Sequence, residues 1–382
     1  MLFTITDFAK LRQIAHIIWD IDGTITDTDG ELSGQVGIRI INLALNDGVY
    51  HSFITGRDAT WIRECIIEPM SRFYNFPKVV NNLIFWAEVG CLMVKPDATG
   101  QVTIEANPRI KDHPLATNEK EIRTKLRSLA YDPAKLPKYA RGVKVHESQT
   151  VIYDAGSKKR RQGYIINPTK DVPLCRPYIW SMDKEIFATF EKIRDENGGI
   201  RSFDQQPFIK VVTDMVQEQE FADDIGVEEI STAINIVPKV NGEKFGKSWA
   251  AGRALEYLQR EKLGGVKGMD TITGSTIAAG DGKADFDFTI PTFSREILKH
   301  LAVNHRTIPF IFVGDVGHDL PLQGDPRLKN ILISTTGTSV PVYQPKRDNP
   351  ERGSIEFEPA KGAIVISDVL DYLKQWQHFS PF

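Results

Sequence analysis

The chain has 382 residues, enough for two or three domains, and its apolar fraction of 41% is that of an ordinary globular protein. A formal charge of −3 and a pI near 6.3 exclude the basic excess of a nucleic-acid binder and the acidic tail of a solvated interaction arm. Cys65, Cys91 and Cys175 are too scattered for a disulfide framework or a zinc site, no uncharged apolar run could span a bilayer, and the N-terminal residues lack a secretory core, so a cytoplasmic protein without a membrane partner is expected.

The first element is the run IIWDIDGTITDTDG, Ile17 to Gly30. Ile17, Ile18 and Trp19 read as the end of a buried strand that turns at Gly23. Asp20 then stands at the carboxyl edge of a sheet, where open α/β sheets bind ligands, with Asp22 two residues on. Two carboxylates this close repel unless a cation or a shared proton intervenes. The next stretch, SGQVGIRIINLALNDG, spaces Val36, Ile40, Ile41, Leu43 and Leu45 as a helix and stops at Asp47-Gly48. VYHSFITGRD reads as a second buried strand ending in Thr55-Gly56-Arg57. Strand, helix and strand in this order make a right-handed βαβ unit, which brings Asp20 and Thr55 to one sheet edge.

From NNLIFWAEVGCLMVKPDATGQVTIEA onward the βαβ regularity is lost. Residues 91–232 mix candidate helices and strands and read as an inserted α+β domain. INIVP is expected to return the chain to the first domain, ahead of the helix KSWAAGRALEYLQREKLGG. STIAAGDGKAD, PFIFVGDVGHDLPL, KNILIS, SIEFEP and the helix of GAIVISDVLDYLKQW follow.

WDIDGTIT, FITGRD, the Lys-led helix at Lys247 and a GDxxxD segment, in this order, resemble the haloacid dehalogenase-like phosphohydrolase superfamily, and in particular its sugar-phosphatase branch. AEVGC followed by PDATG resembles the point where that branch leaves its core for a cap. The resemblance implies a doubly wound parallel-sheet α/β core (residues 1–90 and 233–382), an α+β cap (residues 91–232) that selects the substrate, and an active site between them.

The chemistry of the residues agrees with this. Asp20 is placed to attack phosphorus and form an aspartyl-phosphate. Asp22 can protonate the leaving alkoxide and then deprotonate water. Thr55, Gly56 and Arg57 can hold the transferring oxygens, a lysine can neutralise the growing charge, and Gly23 permits the tight turn over the phosphate. A phosphate ester beside two carboxylates needs cations, and hard oxygen ligands select Mg²⁺. The resemblance adds that Asp20 holds the metal by its side chain and Asp22 by its carbonyl. It also implies that a lysine opens the helix returning from the cap. Lys244 and Lys247 both stand there; Lys247 is preferred because it directly precedes the helix, with Ser248 as N-cap.

The metal-binding acidic motif occurs twice. AAGDGKAD offers Asp281 and Asp285; FVGDVGHD offers Asp315 and Asp319. The first reads as a hairpin, STIAA against ADFDFTI around GDGK, so Asp315 and Asp319 are favoured. GEKFGKS, residues 242–248, imitates a nucleotide-binding P-loop but has one residue too few between its glycines. The expected function is Mg²⁺-dependent hydrolysis of a sugar or polyol phosphate. Alternatives are a phosphomutase of the same superfamily, a P-loop-like NTPase and a non-catalytic sugar-phosphate-binding protein.

Overall fold

Strand β1 (His16–Trp19) lies within an eight-stranded sheet in the computed structural model, which describes residues 14–26, 31–117, 143–153, 160–168, 178–181, 184–192, 206–218, 222–229, 233–240, 242–262, 268–303, 306–313, 331–334 and 370. Helix α1 (Gly34–Asp47) follows it, burying Val36, Ile40, Ile41 and Leu43 and ending at Gly48 in the left-handed conformation. Next come β2 (Tyr50–Ile54), helix α2 (Ala59–Ile62), β3 (Leu83–Ala87), β4 (Leu92–Pro96) and β5 (Val102–Ala106). β2 pairs parallel with β1 and with β3, whereas β4 turns back antiparallel on β3.

The chain divides into two units, Met1–Glu105 with Gly246–Phe382, and Ala106–Phe245. The second unit holds β6 (Val143–Tyr153), β7 (Arg160–Pro168), β8 (Tyr178–Ser181), β9 (Ala188–Lys192), helix α3 (Gln206–Gln217), β10 (Ile225–Glu229), β11 (Ala233–Val240) and β12 (Glu243–Lys244). They form a sheet in the order β10-β11-β9-β8-β7-β6, with β12 against β11, and each pairing is antiparallel. His113 fastens this unit: Nε2 donates to the Asp224 carbonyl at 2.7 Å while Nδ1 accepts from the Leu115 N–H at 3.1 Å.

The first unit resumes with helix α4 (Lys247–Tyr257), α5 (Met269–Gly274), β13 (Thr276–Gly280), α6 (Arg295–His300), β14 (Phe310–Phe312) and β15 (Ile331–Ser334). Its sheet runs β15-β14-β13-β1-β2-β3-β4-β5, parallel from β15 to β3. The fold is therefore α/β, a mostly parallel sheet with flanking helices. Strand order reverses at β1, since the chain steps outward to β2 and β3 on one side and later to β13 and β14 on the other. The crevice at the carboxyl ends of β1 and β13 is thus a topological switch point.

Three expectations change here. STIAA does not form a hairpin with ADFDFTI: it is β13, a buried parallel strand beside β1, and Lys283–Thr289 is a 3₁₀ turn. A run buried on both faces gives no alternating pattern to separate core strand from hairpin arm. INIVP lies in β11, paired with β9 and β10, so the chain rejoins the first unit only at Gly246. β4 and β5 extend the first sheet, which moves the departure point from residue 91 to residue 106.

Candidate active site

Asp20 is the first residue past β1. Its N–H still bonds to the Ala279 carbonyl of β13 at 2.9 Å, so its position is fixed by the sheet. The chain then curls tightly: Thr24, Ile25 and Thr26 all donate their N–H to the Ile21 carbonyl, at 3.1–3.2 Å. Gly23 enters this curl at φ +73°, a conformation costly for any side chain. A Cβ there would also lie 2.0 Å from Asp281 Oδ2. Asp281, one residue past β13, thus packs its carboxylate directly on the Gly23 turn.

Asp285 is 2% exposed and organises the opposite wall. Its Oδ2 accepts the N–H groups of Asp281 at 3.0 Å and Gly282 at 2.8 Å, while its Oδ1 accepts from Lys247. Lys247 Nζ also donates to Asp20 Oδ1 at 2.5 Å. Carboxylate oxygens of Asp20, Asp281 and Asp285 all lie within 4.8 Å of one another. Three carboxylates against one ammonium leave a formal charge of −2 in a largely buried space. Burial, then Asp285, pushes Asp281 up to about 7. Burial likewise raises Asp20 well above the usual carboxylate range; Asp285, Asp281 and Asp22 add to the effect and Lys247 opposes it. Burial alone would lower the Lys247 pKa, but Asp20 and Asp285 outweigh it and hold the ammonium charged.

Asp22 is set apart from this cluster. Its carboxylate accepts Arg57 Nε at 3.0 and 3.1 Å, an Arg57 terminal nitrogen at 2.8 Å and the Thr55 hydroxyl at 3.3 Å. Burial would raise its pKa, yet Arg57, with Lys247 and Thr55, outweighs that and leaves it below the ordinary value. Thr55 and Arg57 are braced by the segment after β3. Val89 N–H bonds to the Thr55 carbonyl and Glu88 N–H to the Arg57 carbonyl, both at 2.9 Å. Glu88 and Val89 have φ of 47° and 53°, a left-handed corner without glycine that holds the Thr55–Arg57 turn against the sheet edge.

The structure thus brings together Asp20, Gly23, Lys247, Asp281 and Asp285, with Asp22, Thr55, Gly56 and Arg57 on the adjoining β1 and β2 corner. Asp315, Asp319 and Asp27 lie outside the described residues; the strand leading to the first two, β14, stands one place further from β1 than β13 does. Lys244 belongs to the second unit and donates to the Val227 carbonyl at 3.0 Å. Ser248 is not the N-cap: Gly246 occupies that position, and the Ser248 hydroxyl instead donates to the Ile290 carbonyl. Asp58 does cap α2, accepting the Trp61 N–H at 2.7 Å. GEKFGKS forms no phosphate loop, because Glu243–Lys244 pair antiparallel with β11. The bracing role of Glu88 and Val89 had no sequence signal, since neither residue type announces a positive φ.

No family model matches the chain, and no curated protein does. Among solved structures it is similar to a trehalose-6-phosphate phosphatase of Aspergillus fumigatus, at 12% identity over 98% of each chain with a TM-score of 0.45. It is also similar to a haloacid dehalogenase-like hydrolase from Bacteroides thetaiotaomicron, at 12% identity over 85% of this chain and 94% of that one, TM-score 0.47. A third is the Plasmodium falciparum IMP-nucleotidase, at 10% identity over 76% of this chain and 60% of that one, TM-score 0.42. At such identities no residue role passes to this chain from any of them, and the chemistry rests on its own side chains.

Proposed function

We propose that the protein is a Mg²⁺-dependent phosphomonoester hydrolase acting on a sugar or polyol phosphate through an aspartyl-phosphate. The observation that carries this reading is the excess negative charge at the switch point, where Asp20, Asp281 and Asp285 converge around a single Lys247. A buried formal charge of −2 formed from hard oxygen ligands suits a small divalent cation. Asp20, Asp281 and Asp285 would hold it; when bound, Mg²⁺ neutralises carboxylate and phosphoryl oxygens so that both can approach. Asp281 and Asp285 take the role that the hairpin reading of STIAAGDGKAD had left to Asp315 and Asp319, since β13 is the strand beside Asp20.

The chain's own groups account for the steps. A carboxylate oxygen of Asp20 bonds to phosphorus as the ester P–O bond breaks. Arg57 holds Asp22 as a carboxylate in the free protein. Asp22 therefore takes up a proton once the negative phosphate ester lies beside it, delivers that proton to the departing alkoxide, then takes one from the water whose oxygen displaces Asp20. Lys247 holds positive charge against the oxygens that gain it. The sugar or polyol assignment is supported by the resemblance of the motifs and by a separate unit, residues 106–245, available to recognise the leaving group.

The test is a panel of phosphorylated metabolites scored for phosphate release with and without Mg²⁺, run beside Asp20→Asn. The wild type should release phosphate only with the metal. The variant should fold and lose activity by several orders of magnitude, because an amide is a poor nucleophile. Release by Asp20→Asn at near the wild-type rate would refute the covalent mechanism.

A further inference from the structure

Building on the hydrolase reading above, we propose that Arg57 is a positioning residue for Asp22 and not a ligand of the transferring phosphoryl group. The motif Thr55-Gly56-Arg57 reads as a phosphate cradle, but its guanidinium is committed elsewhere. Nε and one terminal nitrogen grip both Asp22 oxygens at 2.8–3.1 Å. The guanidinium carbon also lies 4.9 Å over the Trp61 ring, a second contact on the arginine head. Trp61 is itself buried, 4% exposed, with its backbone N–H bonded to the Asp58 cap. The Thr55 hydroxyl closes the arrangement, accepting the Arg57 N–H at 3.1 Å and donating to Asp22 Oδ2 at 3.3 Å.

Asp22 is therefore aimed by a second element, the β2–α2 corner, rather than by its own turn. Even with Arg57 in place the Asp22 side chain is 39% exposed, so packing within its own turn does not fix it. A carboxylate that must meet the leaving oxygen as the P–O bond breaks, and a water in the following half-reaction, needs one fixed placement. A bidentate, stacked arginine supplies it; a lysine cannot, having neither the fork nor the plane. Asp58, Trp61, Arg57 and Thr55 thus form one relay of contacts ending on Asp22.

The experiment measures kcat and KM for p-nitrophenyl phosphate, phenyl phosphate and an alkyl phosphate, with Mg²⁺, in wild type and Arg57→Met. p-Nitrophenolate departs without a proton, while the other two leaving groups need one. Arg57→Met should lose only a few-fold in kcat/KM on the first ester but about 10²-fold on the others, because kcat/KM reports formation of the aspartyl-phosphate, whereas its later hydrolysis is common to all three. Arg57→Lys should not restore the loss, and Arg57→Met added to Asp22→Asn should cost nothing further. Trp61→Leu, in which the guanidinium loses its stacking surface, should show the same leaving-group dependence in milder form should Arg57→Met fold poorly. A KM that rises about tenfold evenly across all three esters, is restored by lysine and multiplies with Asp22→Asn would overturn the proposal. Wild-type protein that releases no phosphate from any ester would instead overturn the hydrolase reading beneath it, before any variant is compared.

Discussion

Gly23 and Asp281 lie far apart in the chain, yet the Asp281 carboxylate fills the space that a Gly23 Cβ would take. This contact binds the turn after β1 to the end of β13 and gives Asp281 a double character. On the proposed reading it is a ligand when a cation is bound; without one its carboxylate is largely buried beside Asp285. Its folded-state pKa of about 7 lies above the ordinary 3.8, so the folded state holds a proton that the unfolded chain has already released. Stability is then present at low pH and lost as pH rises from about 4 through 7. Removing the charge should remove that loss. We predict that metal-free Asp281→Asn melts above wild type at pH 8, with the gap closing toward pH 4, and that Mg²⁺ raises the wild-type melting temperature but not the variant's. Equal melting at pH 8 together with an unchanged Mg²⁺ shift would return the metal to Asp315 and Asp319.

At the scale of elements, β1 and β2 were readable because apolar runs ended in residues with chemistry: Trp19 before Asp20, Ile54 before Thr55. α1 was readable from its spacing. β13 was not, since TIAAG followed by Asp281-Gly282 has the composition of a hairpin and only its partner strand shows otherwise. β11 was misplaced for a related reason: INIVP states that a strand exists, not which sheet receives it. The two histidines of the central strands were also silent in sequence. His16 contacts the Ser52 hydroxyl at 2.9 Å and the Thr276 hydroxyl at 3.3 Å. His51 accepts the Trp19 indole N–H at 3.0 Å, which places its proton on Nε2, where it meets no partner among the described residues. Burial lowers both to about 3, with His16 adding to the effect on His51. Each stays neutral in the fold while the unfolded chain takes up a proton near 6.5, so stability present above pH 6.5 is lost as pH falls toward 3. The slope approaches about 1.4 kcal/mol per pH unit for each histidine. His51→Phe, which keeps the stack between Trp19 and Phe53, should lower the pH dependence of unfolding free energy between about pH 6 and 5 by nearly one proton. Denaturant titrations of both proteins check it, and parallel pH profiles would contradict it.

At the scale of the molecule, one unit carries the reacting groups and the other is an uninterrupted insertion, Ala106–Phe245, with an antiparallel sheet of its own. Asp20, Asp22, Lys247, Asp281 and Asp285 all belong to the first unit, so the groups to which the proposed function assigns phosphoryl transfer all lie there. On that reading these groups recognise a phosphate, which every candidate substrate shares, and so cannot by themselves distinguish one sugar phosphate from another. Discrimination needs groups that touch the leaving portion, a task that the proposed function gives to the inserted unit. Basic residues of 106–245 replaced one at a time by methionine, which keeps an unbranched stem without the charge, should therefore change the ratio of kcat/KM among sugar phosphates. An effective position should shift that ratio about 10-fold or more, the scale of a lost charged hydrogen bond. The same variants should stay within about 3-fold of wild type on p-nitrophenyl phosphate, whose flat aromatic leaving group lacks the hydroxyls that such contacts would hold. Parallel losses on both kinds of ester at every position would mean that the inserted unit serves the chemical step itself, and that substrate choice must be sought in the first unit.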